Sequence, residues 1–173
     1  RDHQIQAVQK VKKDFEECDR GKLIMACGTG KTFTSLKIAE ELAGKGKSIL
    51  YMVPSLSLMS QTVREWKNDA LNDFTAFSAC SDIKIGKRSS KQDLIEVSLN
   101  DLAFPATTDP SKLSEQIQNA DKEKMTVVFS TYHSIDVISE AQFKYDLTEF
   151  DLIICDEAHR TTGATLIGKD ESN

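Results

Sequence analysis

The sequence has no C-x-x-C pair: its four cysteines, Cys18, Cys27, Cys80 and Cys155, lie far apart. The three histidines, His3, His133 and His159, add no zinc-ligand spacing, so nothing points to a structural zinc site. Cys27 and Cys155 lie in or beside apolar segments, where a thiol is expected to act as a small hydrophobe. Free thiols and a reducing cytoplasm are the expected setting. Long apolar runs are also missing; stretches such as Ser48 to Val53 are far too short to span a bilayer, and no membrane partner is expected. No basic segment followed by an apolar one opens the chain, so no secretory signal is expected. Arg1 in place of Met leads us to expect further residues upstream. Three prolines and eight glycines are too few for a collagen-like or low-complexity chain. Positive charge is short too: 22 Lys and Arg face 27 Asp and Glu, a net charge of −5. A stand-alone nucleic-acid coat protein would carry the opposite balance, although a local basic groove is compatible with it.

What is present is 173 residues, 39% hydrophobic and 28% charged, enough for one domain with a real core. Four short apolar runs stand out: Lys22 to Ala26, Ser48 to Val53, Met125 to Ser130 and Asp151 to Asp156. Each lacks polar alternation, as a parallel strand covered on both faces does. Phe74 to Cys80 is expected to be a further strand. Helical spacing separates them. Ile5, Val8, Val11, Lys12 and Phe15 recur every three or four residues before the first run. Thr32 to Ala43 follows that run and ends at Gly44, a C-cap candidate. Ser55 to Leu71 follows the second, with Ser55 as N-cap and Leu58, Met59, Val63 and Trp66 on one side. Trp66 is expected in the core or on a partly covered helix face. The succession predicts an α/β fold, a mostly parallel sheet with helices on both faces. Residues 82–124 break the rhythm with Pro105, Pro110 and the basic Lys87, Arg88 and Lys91, and are expected to form a surface insertion. Within it, Ile95, Val97 and Leu99 alternate like a strand, and Leu113 with Ile117 suggests helical turns begun at Asp109. No internal repeat is visible.

Ala26-Cys-Gly-Thr-Gly-Lys-Thr32 joins the first run to its helix. Gly28 and Gly30 permit a tight turn and bring N–H groups against phosphate oxygens, and Thr29 lies between them. The helix start adds the positive end of its dipole. Lys31 can reach β- and γ-phosphates, and the Thr32 hydroxyl can ligate magnesium. An ordinary glycine turn capping a helix is the bland alternative. The general form of the loop also wants a glycine where Met25 stands. At the end of the last apolar run comes Asp156-Glu-Ala-His159. An aspartate at the carboxyl end of a parallel strand faces the crevice where such sheets bind ligands, which suits Asp156 to hold Mg2+. Glu157 can take a proton from water attacking the γ-phosphate. A charged turn after a core strand is the alternative here, but the two motifs together point to an ATP site.

These residues resemble the first RecA-like domain of a superfamily 2 helicase. Ala26 to Thr32 fits that family's A-x-x-G-x-G-K-T motif, which accounts for Met25, and Asp156 to His159 is similar to its DEAH motif. Val53 to Gln61 resembles the family's motif Ia, which implies nucleic-acid contact by Pro54, Ser55 and Gln61. Ser130-Thr-Tyr132 resembles a phosphate-touching motif and implies the same for Thr131. Arg1 to Gln4 is similar to the start of the adenine-reading segment, making Gln4 an adenine contact. His159 would couple the ATP site to nucleic acid. For Pro54 and Ser55 a strand exit and helix cap remain the alternative, for Thr131 an N-cap, and for His159 a plain turn residue. Asp156 to Arg160 followed by Thr161-Thr-Gly163 looks more like bacterial DNA translocases, the motors of type I and single-chain restriction–modification enzymes.

The resemblance covers nearly all of residues 1–173 apart from the insertion 82–124. It implies a parent ATPase acting on double-stranded DNA, with a second RecA-like domain of the same chain supplying an arginine finger. Residues 1–173 alone would then hydrolyse ATP barely or not at all. An RNA helicase domain and an ATP-sensing switch without translocation are the competing readings. The motif Ia and Thr-Tyr matches argue against the switch.

Overall fold

The computed structural model of the chain describes residues 1–80 and 106–158. The elements run α1 (Asp2–Asp14), α2 (Lys31–Leu42), β1 (Ser48–Val53), α3 (Leu56–Asp69), β2 (Phe74–Ala79), β3 (Ala106–Thr107), α4 (Pro110–Gln118), β4 (Met125–Thr131), α5 (Ile135–Lys144) and β5 (Leu152–Cys155). The strands form one sheet in the order β3-β2-β4-β1-β5, and every pairing is parallel. This is the expected α/β architecture.

Pleating explains how the nearly unbroken apolar strands are used, because successive side chains face opposite sides of the sheet. Ile49, Tyr51 and Val53 of β1, with Val127 and Phe129 of β4, meet α2 and α3 through Leu36, Ala39, Met59, Val63 and Trp66. Leu50, Met52 and Val128 face the other way, onto Leu113 and Ile117 of α4 and Val137, Ile138 and Ala141 of α5. Trp66 is 0% exposed. Its ring meets Tyr51 edge-on at 5.0 Å and packs near-perpendicular to Phe129 at 5.7 Å. Local signals set the helix ends. The Ser55 hydroxyl accepts from the Leu58 N–H at 3.3 Å and caps α3. Gly44, at φ 70°, ends α2 with its N–H on the Ala39 carbonyl at 3.2 Å.

Three expectations need correction. Lys22 to Ala26, read as the first strand, joins no strand among the described residues, and Ile24 is 80% exposed. Apolar composition gives a segment a reason to be covered, but only a neighbouring ladder makes it a strand. Among the described residues β5 is an edge strand paired only with β1, and Ile153 on it is 55% exposed, so it is not covered on both faces. Of the cysteines, all free, Cys80 is buried while Cys27 and Cys155 are exposed, because the segments beside these two are themselves incompletely covered.

Part of the stretch 82–124 also belongs to the fold. β3 extends the sheet beside β2, and α4 packs Leu113 and Ile117 into the second core. Asp109 begins α4 as N-cap, its carboxylate accepting from the Ser111 N–H at 2.9 Å, with Pro110 in the first turn. The alternating Ile95 to Leu99 and the basic Lys87, Arg88 and Lys91 lie outside the described residues. Leu113→Ala should therefore destabilise the domain by about 2–5 kcal/mol, the cost of emptying a packed leucine site. Urea unfolding of the two proteins measures it, and an unchanged midpoint would put α4 outside the cooperative core.

Candidate functional site

The site sits at the carboxyl ends of the parallel strands. Residues 26–30 turn into α2 through Gly28 at φ 74° and Gly30 at φ 81°, a left-handed backbone that glycine adopts without steric cost. A Cβ at Gly30 would lie 2.4 Å from Nε2 of Gln4, so the position is also crowded. The Thr29 hydroxyl donates to the Ala26 carbonyl at 2.7 Å and closes the turn. Lys31 and Thr32 open α2, where unpaired N–H groups and the helix dipole favour an anion. Gln4 reaches the loop from α1, its Nε2 donating to the Thr29 carbonyl at 3.2 Å, and His3 Nε2 lies 3.2 Å from the same oxygen. The structure thus brings Gly28, Thr29, Gly30, Lys31, Thr32 and Gln4 together.

The acidic pair arrives from β5. The Asp156 N–H donates to the Met52 carbonyl at 2.9 Å, continuing the β1–β5 ladder by one residue. Glu157 then takes φ 53°, the left-handed region that a residue with a Cβ seldom enters. Its Oε1 lies 3.0 Å from Lys31 Nζ, in a half-buried ion pair. That hydrogen bond, more than any other cause, holds the Lys31 ammonium above the ordinary lysine range. Burial first, then the charge of Glu157, pushes the Asp156 carboxyl up. A carboxylate so placed gains from a divalent cation, and the Thr32 hydroxyl adds a second hard oxygen donor. No group of three or more His, Cys, Asp and Glu forms a metal cage among the described residues. That donor set suits Mg2+, which keeps waters and phosphate oxygens around one or two protein groups.

Four further side chains contribute that were not named as site residues from the sequence. The Trp66 indole N–H donates to the Thr32 carbonyl at 3.1 Å, and the Ser35 hydroxyl donates to the same oxygen at 2.7 Å. The Tyr51 hydroxyl is 3.3 Å from the Ser35 hydroxyl. Burial first, then the charge of Asp156, raises the Tyr51 phenol above its ordinary value. The Tyr132 hydroxyl donates to the Asp156 carbonyl at 2.8 Å, and burial first, then neighbouring Cys155, raises its phenol above its ordinary value. A polar tip on an otherwise apolar strand was the only hint for Tyr51; Tyr132 lay in the Ser130-Thr-Tyr132 match without a role of its own, Trp66 was expected only in the core or on a partly covered helix face, and nothing marked Ser35.

The expected nucleic-acid contacts divide. Pro54 follows β1 and is half-buried, and Ser55 is exposed with its hydroxyl engaged in capping α3. Gln61 is exposed on α3, its amide donating to Glu65 at 2.8 Å. Thr131 is 2% exposed and its hydroxyl lies 2.8 Å from that of Ser134, so the structure does not present it outward. His159 lies outside the described residues.

Residues 1–169 match the family described as Type III restriction enzyme, res subunit. The chain is 30% identical over 162 residues to the protein named Probable helicase A859L of African swine fever virus (isolate Tick/Malawi/Lil 20-1/1983), covering 93% of this chain and 16% of that protein. Among solved structures, it resembles the ATP-dependent Type ISP restriction–modification enzyme LlaBIII bound to DNA. There the TM-score is 0.80 at 43% identity, covering 95% of this chain and 11% of that one. It also resembles a nuclease-deletion mutant of the Type ISP restriction–modification enzyme LlaGI in complex with a DNA substrate mimic. In that case the TM-score is 0.74 at 42% identity, covering 92% of this chain and 15% of the other. The chain therefore spans under a fifth of each of these relatives.

Proposed function

This chain belongs to the family of the type III restriction enzyme res subunit, and from that premise we propose that it is the ATP-binding first RecA-like domain of a DNA translocase within a restriction–modification enzyme. The observation that carries the reading is the meeting of Lys31 and Glu157 at 3.0 Å, from two motifs 126 residues apart in the chain. A phosphate-loop cation and a strand-end carboxylate share one crevice, where a γ-phosphate and its attacking water would lie.

In this reading Lys31 leaves Glu157 to meet the β- and γ-phosphates, with the N–H groups of the Gly28 to Thr32 loop cradling them. Thr32 and Asp156 would hold Mg2+, which when bound would offset the charge of the phosphates. Glu157, released from Lys31, orients and deprotonates the attacking water. Gln4 stands beside the loop to read adenine, where an amide can pair with N6 and N7. His159 would couple this site to DNA. Pro54 and Ser55 at the exit of β1, with Gln61 exposed on α3, would meet the DNA backbone. Thr131 is left out, because its hydroxyl is buried and engaged. The second RecA-like domain and its arginine finger belong to the rest of the parent chain.

An arginine finger is worth about 10³–10⁵ in rate. Residues 1–173 alone should therefore bind Mg-ATP yet turn it over that much more slowly than the parent. Measuring ATP hydrolysis by both, with duplex DNA, with RNA and with neither, tests the reading. Stimulation of the parent by duplex DNA supports it. Stimulation by RNA alone favours an RNA helicase, and DNA-stimulated turnover by residues 1–173 alone would overturn the division of the active site.

A further inference from the structure

We infer that Tyr132 is a positioning residue for ATP hydrolysis, fixing the peptide from which Glu157 projects; the inference rests on the ATPase reading above. Tyr132 begins the short turn Tyr132–Ser134 that carries β4 into α5, on the strand next to β1 and one further from β5. Its ring crosses the end of β1 to reach the exit of β5, where its hydroxyl donates to the Asp156 carbonyl at 2.8 Å. That carbonyl belongs to the peptide joining Asp156 to Glu157. The φ of Glu157 is 53°, a torsion about the bond that leaves this peptide. A residue with a side chain holds such a torsion only when its surroundings over-determine it.

Three restraints converge there. The Asp156 N–H is tied to the Met52 carbonyl at 2.9 Å, the Asp156 carbonyl to Tyr132 at 2.8 Å, and the Glu157 carboxylate to Lys31 at 3.0 Å. The last of these gives way when Lys31 turns to phosphate. From that moment the Tyr132 hydroxyl, reaching across from β4, still holds the peptide from which the carboxylate projects. Tyr132 itself is anchored, since the Thr131 hydroxyl before it lies 2.8 Å from that of Ser134, the last residue of the turn. A general base must stay within hydrogen-bond reach of the water it deprotonates, so a freed peptide costs turnover without costing nucleotide binding.

Tyr132→Phe in the full-length parent removes only the hydroxyl. DNA-stimulated turnover should fall by about tenfold, the scale of one lost hydrogen bond, while the affinity for Mg-ADP stays within about twofold. The second measurement combines it with Glu157→Gln. If Tyr132 acts through Glu157, the added change costs less than about twofold in that background; a structural role elsewhere would cost the same tenfold again. Unchanged turnover in Tyr132→Phe, loss of Mg-ADP affinity in step with turnover, or full additivity in the double variant each overturns the inference. Absence of ATP turnover in the unmodified parent, or unaltered turnover in Glu157→Gln, overturns the ATPase reading itself.

Discussion

Glu157→Gln in the full-length parent is expected to lower ATP turnover by about 10² to 10⁴, the usual contribution of a general base. The amide keeps the size of the carboxylate and its capacity to hydrogen-bond, but takes no proton. Nucleotide affinity should be no weaker than in the unmodified enzyme, and the geometry of the site says why. Lys31 is held by Glu157 at 3.0 Å, and that charged contact must break before Lys31 can meet a phosphate. A neutral glutamine makes the break easier. The variant should accumulate with ATP bound, on DNA and not translocating. Asp156→Asn is the informative contrast, since it removes the charge proposed to hold Mg2+ and should weaken magnesium-dependent binding itself. Single-turnover hydrolysis and nucleotide affinity, measured side by side, separate the two. If Glu157→Gln lost binding while Asp156→Asn kept it, the roles assigned to the two acids would be reversed.

Lys31→Ala is expected to weaken Mg-ATP binding by about tenfold to a hundredfold, the range of a lost charge-assisted hydrogen bond. The ion pair adds a second cause. Without Lys31, the Glu157 carboxylate faces the incoming phosphates with its charge uncompensated by that ammonium. Removing that charge as well should return part of the loss, so Lys31→Ala with Glu157→Gln should bind nucleotide more tightly than Lys31→Ala alone. Calorimetry on the three proteins decides it. Unchanged affinity in a folded Lys31→Ala protein would remove the phosphate-loop assignment, and a double variant weaker than the single would remove the repulsion.

The sheet and the loop were legible because their causes are local. Ser48 to Val53 and Met125 to Ser130 are nearly unbroken apolar runs, and a strand covered on both faces has no use for polar alternation. Ser55 and Asp109 announce helices because their side chains satisfy N–H groups within the next three residues. Lys22 to Ala26 was misread because apolar character says that a segment seeks cover and not which ladder will receive it. The same blindness left α4 as helical turns within a surface insertion, because Leu113 and Ile117 were visible while the face awaiting them was not. At the site, the phosphate loop and the acid pair were readable from residue type and spacing. The left-handed Glu157 and the reach of Tyr132 to Asp156 were not, because both depend on the β1–β5 register that sets Met52 beside Cys155. Gln4 is intermediate: family resemblance pointed to it, and its contact with Thr29 needed the packing of α1 on α2.

Trp66 is the single tryptophan of these 173 residues. Its indole N–H rests on the Thr32 carbonyl at 3.1 Å, one residue beyond the lysine proposed to grip phosphate. The domain therefore carries its own fluorophore at the foot of the loop, shielded from water and bonded to the peptide that a nucleotide would tug. Excitation at the red edge of aromatic absorption, where tyrosine is dark, addresses this one ring and no other in the domain. Occupancy of the site is then expected to change the colour and intensity of emission from unlabelled protein, so that the time course of loading could be followed by mixing alone.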